Sequence, residues 1–159
     1  MIQWIKENLL PFEIIAEDEA GLRFRRGRYI KTLNPGFYWL WPLIDEIRSL
    51  NTRPQLIDLP DKSITDRKGM TWAVSGCIEY YIEDPRKAMV DVQDYDEAVQ
   101  NQACALVAEA VYRGKDKEGV EEYVMECLPE YAEVWGLEVT NFSINELAKC
   151  RTFRVMGMV

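Results

Sequence analysis

Over residues 71–83 apolar and polar positions alternate. Trp72, Val74, Gly76, Ile78, Tyr80 and Ile82 fall on one face, and Ala73, Ser75, Cys77, Glu79 and Tyr81 on the other. A period of two is the mark of a strand with one buried face, so Trp72, Val74, Ile78 and Ile82 are expected in the core. A strand is also predicted over residues 12–17. Glu19-Ala20-Gly21 reads as a turn into a second strand, residues 22–25, closed by a turn at Arg26-Gly27-Arg28. In that second strand Leu22 and Phe24 alternate with Arg23 and Arg25, which predicts one apolar and one strongly positive face. Residues 47–59 read as extended, with Ile47, Leu50, Leu56, Ile57 and Leu59 as apolar contacts and Pro54 favouring an edge or a bend.

The period then lengthens. Asp84 can cap a helical segment with Pro85 at its first position. A longer helix opens at Asp94 or Tyr95 and runs to Tyr112, with Gly114 as its stop. A third follows Gly119, carrying Val120, Val124, Leu128 and Val134 at helical spacing, and Pro129 should kink or divide it. Gly136 ends it, and residues 137–144 read as a last strand. Apolar parity shifts there between Val139 and Phe142, so a bulge is expected near Thr140-Asn141. Residues 2–10 form a short amphipathic pattern with Ile2, Ile5 and Leu9 on one side. The expected class is α+β: an N-terminal antiparallel β-rich part, two or three helices, then a closing strand.

Composition fits a folded domain, with 48% apolar and 11% aromatic residues in 159. The net charge of −8 is uneven: residues 1–83 hold 11 basic and 12 acidic side chains, residues 84–146 hold 5 and 15. Such an acidic second half argues against nucleic acid as a partner. Histidine is absent, which removes Ser-His and Cys-His pairs and histidine metal ligands. Cys77, Cys104, Cys127 and Cys150 are scattered, with no C-x-x-C pair, and read as reduced core residues of a cytoplasmic protein. No catalytic residue, cofactor site or metal site is assigned, and no small-molecule substrate is expected.

The candidate chemistry lies in residues 23–44. Eight apolar residues, Phe37-Tyr38-Trp39-Leu40-Trp41-Pro42-Leu43-Ile44, follow the most basic stretch of the chain. The run is too short to cross a bilayer, which takes about 20 apolar residues. Trp and Tyr beside Arg suit a membrane–water boundary. The candidate membrane-contact set is therefore Arg23, Arg25, Arg26, Arg28, Tyr38, Trp39, Leu40 and Trp41, against an anionic lipid surface. The competing reading packs Trp39, Trp41 and Leu43 on the sheet; a mixed case exposes Tyr38 or Leu40.

Several segments in order resemble the band 7 or SPFH domain of stomatins, prohibitins and flotillins. Residues 20–28 resemble its glycine-bounded hairpin. Leu33-Asn34-Pro35-Gly36-Phe37 and Pro42-Leu43-Ile44-Asp45 resemble its Pro-Gly and Pro-(Leu/Phe)-(Ile/Val)-Asp stretch. Thr65-Asp66-Arg67-Lys68-Gly69 is similar to its Thr-x-Asp-Gly turn with an insertion. Tyr80-Tyr81-Ile82-Glu83-Asp84-Pro85 resembles its Tyr-x-Ile-x-Asp-Pro joint, and Gly136-Leu137-Glu138-Val139 with Ile144 its closing strand. The resemblance divides the chain into a segment 1–11, the domain 12–147 and a tail 148–159. It implies a non-catalytic scaffold that self-associates or joins other SPFH proteins, peripheral to a membrane. The family's usual N-terminal membrane segment and C-terminal coiled-coil arm have no counterpart in these residues, so cage-building is not expected. The alternative is a soluble protein-binding module that modulates a partner assembly without touching membrane.

Overall fold

The computed structural model describes residues 12–41 and 44–150. The pattern at residues 2–10, Pro42, Leu43 and the segment 151–159 lie outside them. Five strands come first: β1 (Phe12–Ile15), β2 (Glu19–Arg25), β3 (Arg28–Leu33), β4 (Gly36–Trp39) and β5 (Asp45–Asn51). They make two small antiparallel sheets, β1-β4 and β3-β2-β5. The first turn comes earlier than Glu19-Ala20-Gly21; it is closed by Glu19 N donating to Ala16 O at 3.2 Å. Gly21 is a strand residue, paired with Leu33 of β3 and Ser49 of β5, and Ile15 lies against it: a Cβ there would stand 2.2 Å from Ile15 Cδ1. Glycine signalled a turn in the sequence, but here it permits close approach of the two sheets. A small core of Ile15, Leu33, Leu40 and Ile47, flanked by Tyr38, joins these sheets.

Arg26 and Gly27 form the β2–β3 turn, both with positive φ (52° and 75°). That is the two-residue hairpin turn that twists with its strands, and Arg28 already belongs to β3. A non-glycine residue at φ near +50° is strained, and asparagine bears that conformation best. Arg26→Asn should therefore raise stability by about 0.5 kcal/mol. Urea midpoints at unchanged m-value would read it, and a lowered midpoint would mean that Arg26 makes a compensating contact.

The second module is the antiparallel sheet β6-β7-β8, made of β6 (Gln55–Thr65), β7 (Thr71–Ile82) and β8 (Leu137–Cys150). The extended stretch 47–59 is two strands, separated at residues 52–54 where Pro54 sits. On β7, Val74, Gly76, Ile78, Tyr80 and Ile82 are buried as the alternation requires, and Trp72 is half-buried. Leu56 is not a core contact: it is 67% exposed on the open face of β6. The bulge expected near Thr140 is present, since Tyr80 faces Val139 while Glu79 faces Asn141. A second bulge at Asn145 restores the parity again and carries β8 to Cys150, six residues past Ile144.

Asp84 caps the segment after β7, its Oδ1 accepting from Arg86 N and Lys87 N at 3.0 and 3.2 Å, and the backbone then widens into a π turn at Lys87–Asp91. Helix α1 (Tyr95–Tyr112) is capped by Asp94, which accepts from Glu97 N at 3.0 Å. Helix α2 (Lys117–Val134) starts before Gly119, because Asp116 is the cap. Nor does Pro129 divide it. Val124, Leu128 and Ala132 are all buried, and packing on both sides of the proline offsets one missing backbone bond. Both helices contribute to the large core on β7 and β8. Tyr80, fully buried there, donates its hydroxyl to Asp96 in the first turn of α1. Burial, then that hydrogen bond, raises its pKa far above the usual tyrosine value. All four cysteines are free; Cys150 is exposed, so it is not the core residue its scattered spacing suggested.

Candidate functional site

The two-stranded sheet β1-β4 is turned inside out. Its register pairs Phe12 with Trp39 and Ile14 with Phe37. Directly opposed residues share a face and alternate residues repeat it, so all four side chains point the same way. That way is outward: Phe12 is 39% exposed, Ile14 69%, Phe37 63% and Trp39 61%. The rings of Phe12 and Phe37 stack at 5.4 Å with 28° between their planes. Trp41 and Ile44, which follow β4 along the chain, are exposed as well. The inward positions hold Ile15 in the small core and Glu13, whose carboxyl is pushed above its ordinary range by burial first and then by Glu19 and Glu46. A surface strand normally buries the isoleucine and exposes the glutamate. Ile14 and Glu13 do the reverse.

The aromatic and apolar members of the sequence-predicted set separate by face. Trp39 lies on the outer face, and Trp41, just past the end of β4, is exposed as well. Tyr38 is half-buried with its hydroxyl donated to Asn34 O at 2.8 Å, and Leu40, 8% exposed, belongs to the small core. Neither shares the outer face, because strand alternation places both of them inward with Ile15. The reading in which Trp39 and Trp41 pack on the sheet has the phase reversed. Phe12, Ile14 and Phe37 complete that face and were missed. Their signal was Phe12-Glu13-Ile14, an alternation that looks ordinary until its phase is known.

The arginines divide as well. Arg23 and Arg25 do not form a free positive face; both bind Asp45, whose side chain has no exposed surface. Arg25 is bidentate, with Nε to Oδ1 at 2.7 Å and Nη2 to Oδ2 at 3.2 Å, and Trp41 N donates to Oδ2 at 3.3 Å. These bonds, that from Arg25 first, hold the Asp45 carboxyl well below the usual carboxylate range. The carboxylate is sealed by its partners rather than by depth, since the residue as a whole is only half-buried. Arg26 and Arg28 are exposed and make no ion pair among the described residues. Arg26 N donates to Ile44 O at 2.9 Å and Ile44 N to Trp41 O at 3.1 Å, so this cationic turn adjoins exposed Trp41 and Ile44.

Among the described residues, no His, Cys, Asp or Glu cluster is arranged to hold a metal ion, and no helix is long and apolar enough to cross a membrane. A family model described as "SPFH domain / Band 7 family" matches residues 13–151. An uncharacterised protein of Archaeoglobus fulgidus is 26% identical over 147 residues, covering 87% of this chain and 58% of that protein. Human "Stomatin-like protein 2, mitochondrial" is 25% identical over 142 residues, covering 84% and 39%. A stomatin homolog of Pyrococcus horikoshii is 20% identical over 141 residues, covering 85% and 53%. The chain thus spans about half the length of these relatives.

Proposed function

The chain belongs to the SPFH domain / Band 7 family, and from that premise we propose that this scaffold-type module is non-catalytic, lies against an anionic membrane surface through the outer face of β1 and β4, and associates laterally with like modules. The observation that supports this reading is the reversed sheet. Four apolar side chains, two of them stacked, face outward while a glutamate faces in. Water gives no reason for that choice, whereas a lipid interface does: aromatic rings settle at the headgroup level. Contiguous exposed apolar surface of this kind marks an interaction site. Arg26 and Arg28 add attraction of about 1 kcal/mol each near anionic lipid. The acidic residues are concentrated at 84–146, in the helices and β8, so the N-terminal sheets are the part of the chain that such a surface tolerates.

Co-sedimentation with vesicles of phosphatidylcholine and phosphatidylserine tests the reading. The chain is expected to pellet, and Trp39→Ala/Trp41→Ala to lower the bound fraction at least fivefold at unchanged circular dichroism. Neutral vesicles should bind less, by the contribution of Arg26 and Arg28. No pelleting, or pelleting indifferent to the tryptophans, would sink the membrane reading.

A further inference from the structure

We propose that two copies pair through the free edge of β5, strand to strand and antiparallel, about a twofold axis at Ile47. This rests on the lateral-association part of the reading above and names its surface. An open sheet edge is a template for another strand, and folded domains blunt the edges they do not use. The other long edges here are blunted. On β3, Arg23 faces Lys31 while Phe24 faces Tyr29, so Ile30 is an extra residue that breaks the ladder between Arg28 and Lys31. On β6, Pro60 and a bulge between Leu59 and Lys62 do the same. β8 carries bulges at Thr140 and Asn145. β1 and β4 are only four residues long.

β5 has none of these devices. It pairs with β2 in unbroken register over seven residues, Asp45 to Asn51, without proline or bulge. Among the described residues, its backbone from Glu46 to Leu50 bonds to no element other than β2.

Charge selects the occupant and the register. Glu46 and Arg48 lie on one face of β5, both more than half exposed, and pair with each other at 2.7 Å. An exposed pair of this kind contributes little and is readily exchanged. Set antiparallel with Ile47 opposite Ile47 of the second copy, each Glu46 stands opposite Arg48 of the other chain, and each Arg48 opposite Glu46. Opposed residues share a face, so both cross-strand contacts join opposite charges. Sliding by two residues either way sets Arg48 against Arg48 or Glu46 against Glu46. Sliding by one sets the Ile47 face against the Glu46–Arg48 face, which mismatches the two sides of the sheet. One register survives, and it is self-complementary.

The axis also fixes orientation. An antiparallel pairing keeps equivalent faces of the two sheets on the same side, and Ile47 lies in the small core beneath β1-β4. The result is a six-stranded sheet, β3-β2-β5-β5-β2-β3, with both apolar outer layers facing one way, so that two copies can engage one surface together.

Sedimentation velocity on the full chain tests the pairing. Wild type is expected to dimerise, and Glu46→Arg or Arg48→Glu, which place like charges across the seam, each to weaken dimerisation at least tenfold. An equimolar mixture of the two single variants should recover it, because every cross-strand contact in the mixed pair again joins opposite charges. The double variant Glu46→Arg/Arg48→Glu should dimerise with itself, which controls for the contact of Arg48 with the Phe24 ring. Self-association that neither variant nor mixture alters overturns the β5 edge while leaving lateral association standing. A wild type that stays monomeric overturns both. Vesicle binding is read separately and decides the membrane contact on its own.

Discussion

Gly136→Ala is expected to destabilise the domain by about 3 kcal/mol. Gly136 follows the last turn of α2 and has φ +75°, a left-handed conformation that a side chain strains by about 1 kcal/mol. The larger cost is space. A Cβ there would stand 2.5 Å from Asp84 O and 2.8 Å from Lys87 Cβ, below any real contact distance. The carbonyl of Gly136 accepts from both Glu83 N and Asp84 N at 3.0 Å. The Asp84-Pro85 joint after β7 is thus seated on the start of β8, and a methyl group would push these elements apart beside buried Ile82 and Leu137. Gly114 is the matched control. Its φ is +80°, and a methyl group there would meet nothing within 4 Å, so Gly114→Ala should cost only the backbone strain of about 1 kcal/mol. Urea unfolding of both variants separates the two contributions. Equal losses would show that the close approach at Gly136 does not limit stability.

Asp45→Asn should cost about 2 kcal/mol at neutral pH, between an exposed ion pair and a fully buried one. The carboxylate is covered, but Arg25 remains 47% exposed and rehydrates when its partner is lost; Arg23, 18% exposed, does so less. The variant should also change the shape of the pH profile. The folded pKa of Asp45 lies below its unfolded value of about 4, so the folded state binds the proton more weakly. Its contribution is therefore fully present above the unfolded pKa and drains away as pH falls towards the folded one. Wild-type stability should fall as pH drops below about 4, and Asp45→Asn should flatten that fall. Parallel profiles for the two proteins would remove Asp45 from the account. Vesicle binding offers a second readout, since Asp45 also holds the Trp41 backbone.

Much of this architecture could be read along the chain. The β7 alternation located its buried face, Asp84 and Asp94 were identified as caps, and the parity change after Val139 located the Thr140 bulge. Each is a local matter, decided by neighbours a few residues apart. The misreadings share a different cause. Gly21 looked like a turn because a close contact with Ile15 across sheets leaves no mark at Gly21 itself. Pro129 looked like a breaker because the packing that holds α2 together comes from elsewhere. Leu40 and Trp39 share one surface in a reading by apolarity alone, although consecutive positions on a strand point to opposite faces.

The sequence by itself determined the family, the α+β order and the presence of an unbroken aromatic-rich apolar run beside a basic stretch, because these follow from residue type and spacing. Only the tertiary structure decided which phase of that run faces out. β1 pairs with β4 rather than with the strand that follows it, and that distant pairing turns Phe12, Ile14, Phe37 and Trp39 outward together. Asp45, 20 residues or more along the chain, likewise takes Arg23 and Arg25 out of the free positive surface. An all-apolar segment fits either phase, and an arginine fits either water or a carboxylate. The choice is made by partners that the local sequence does not contain.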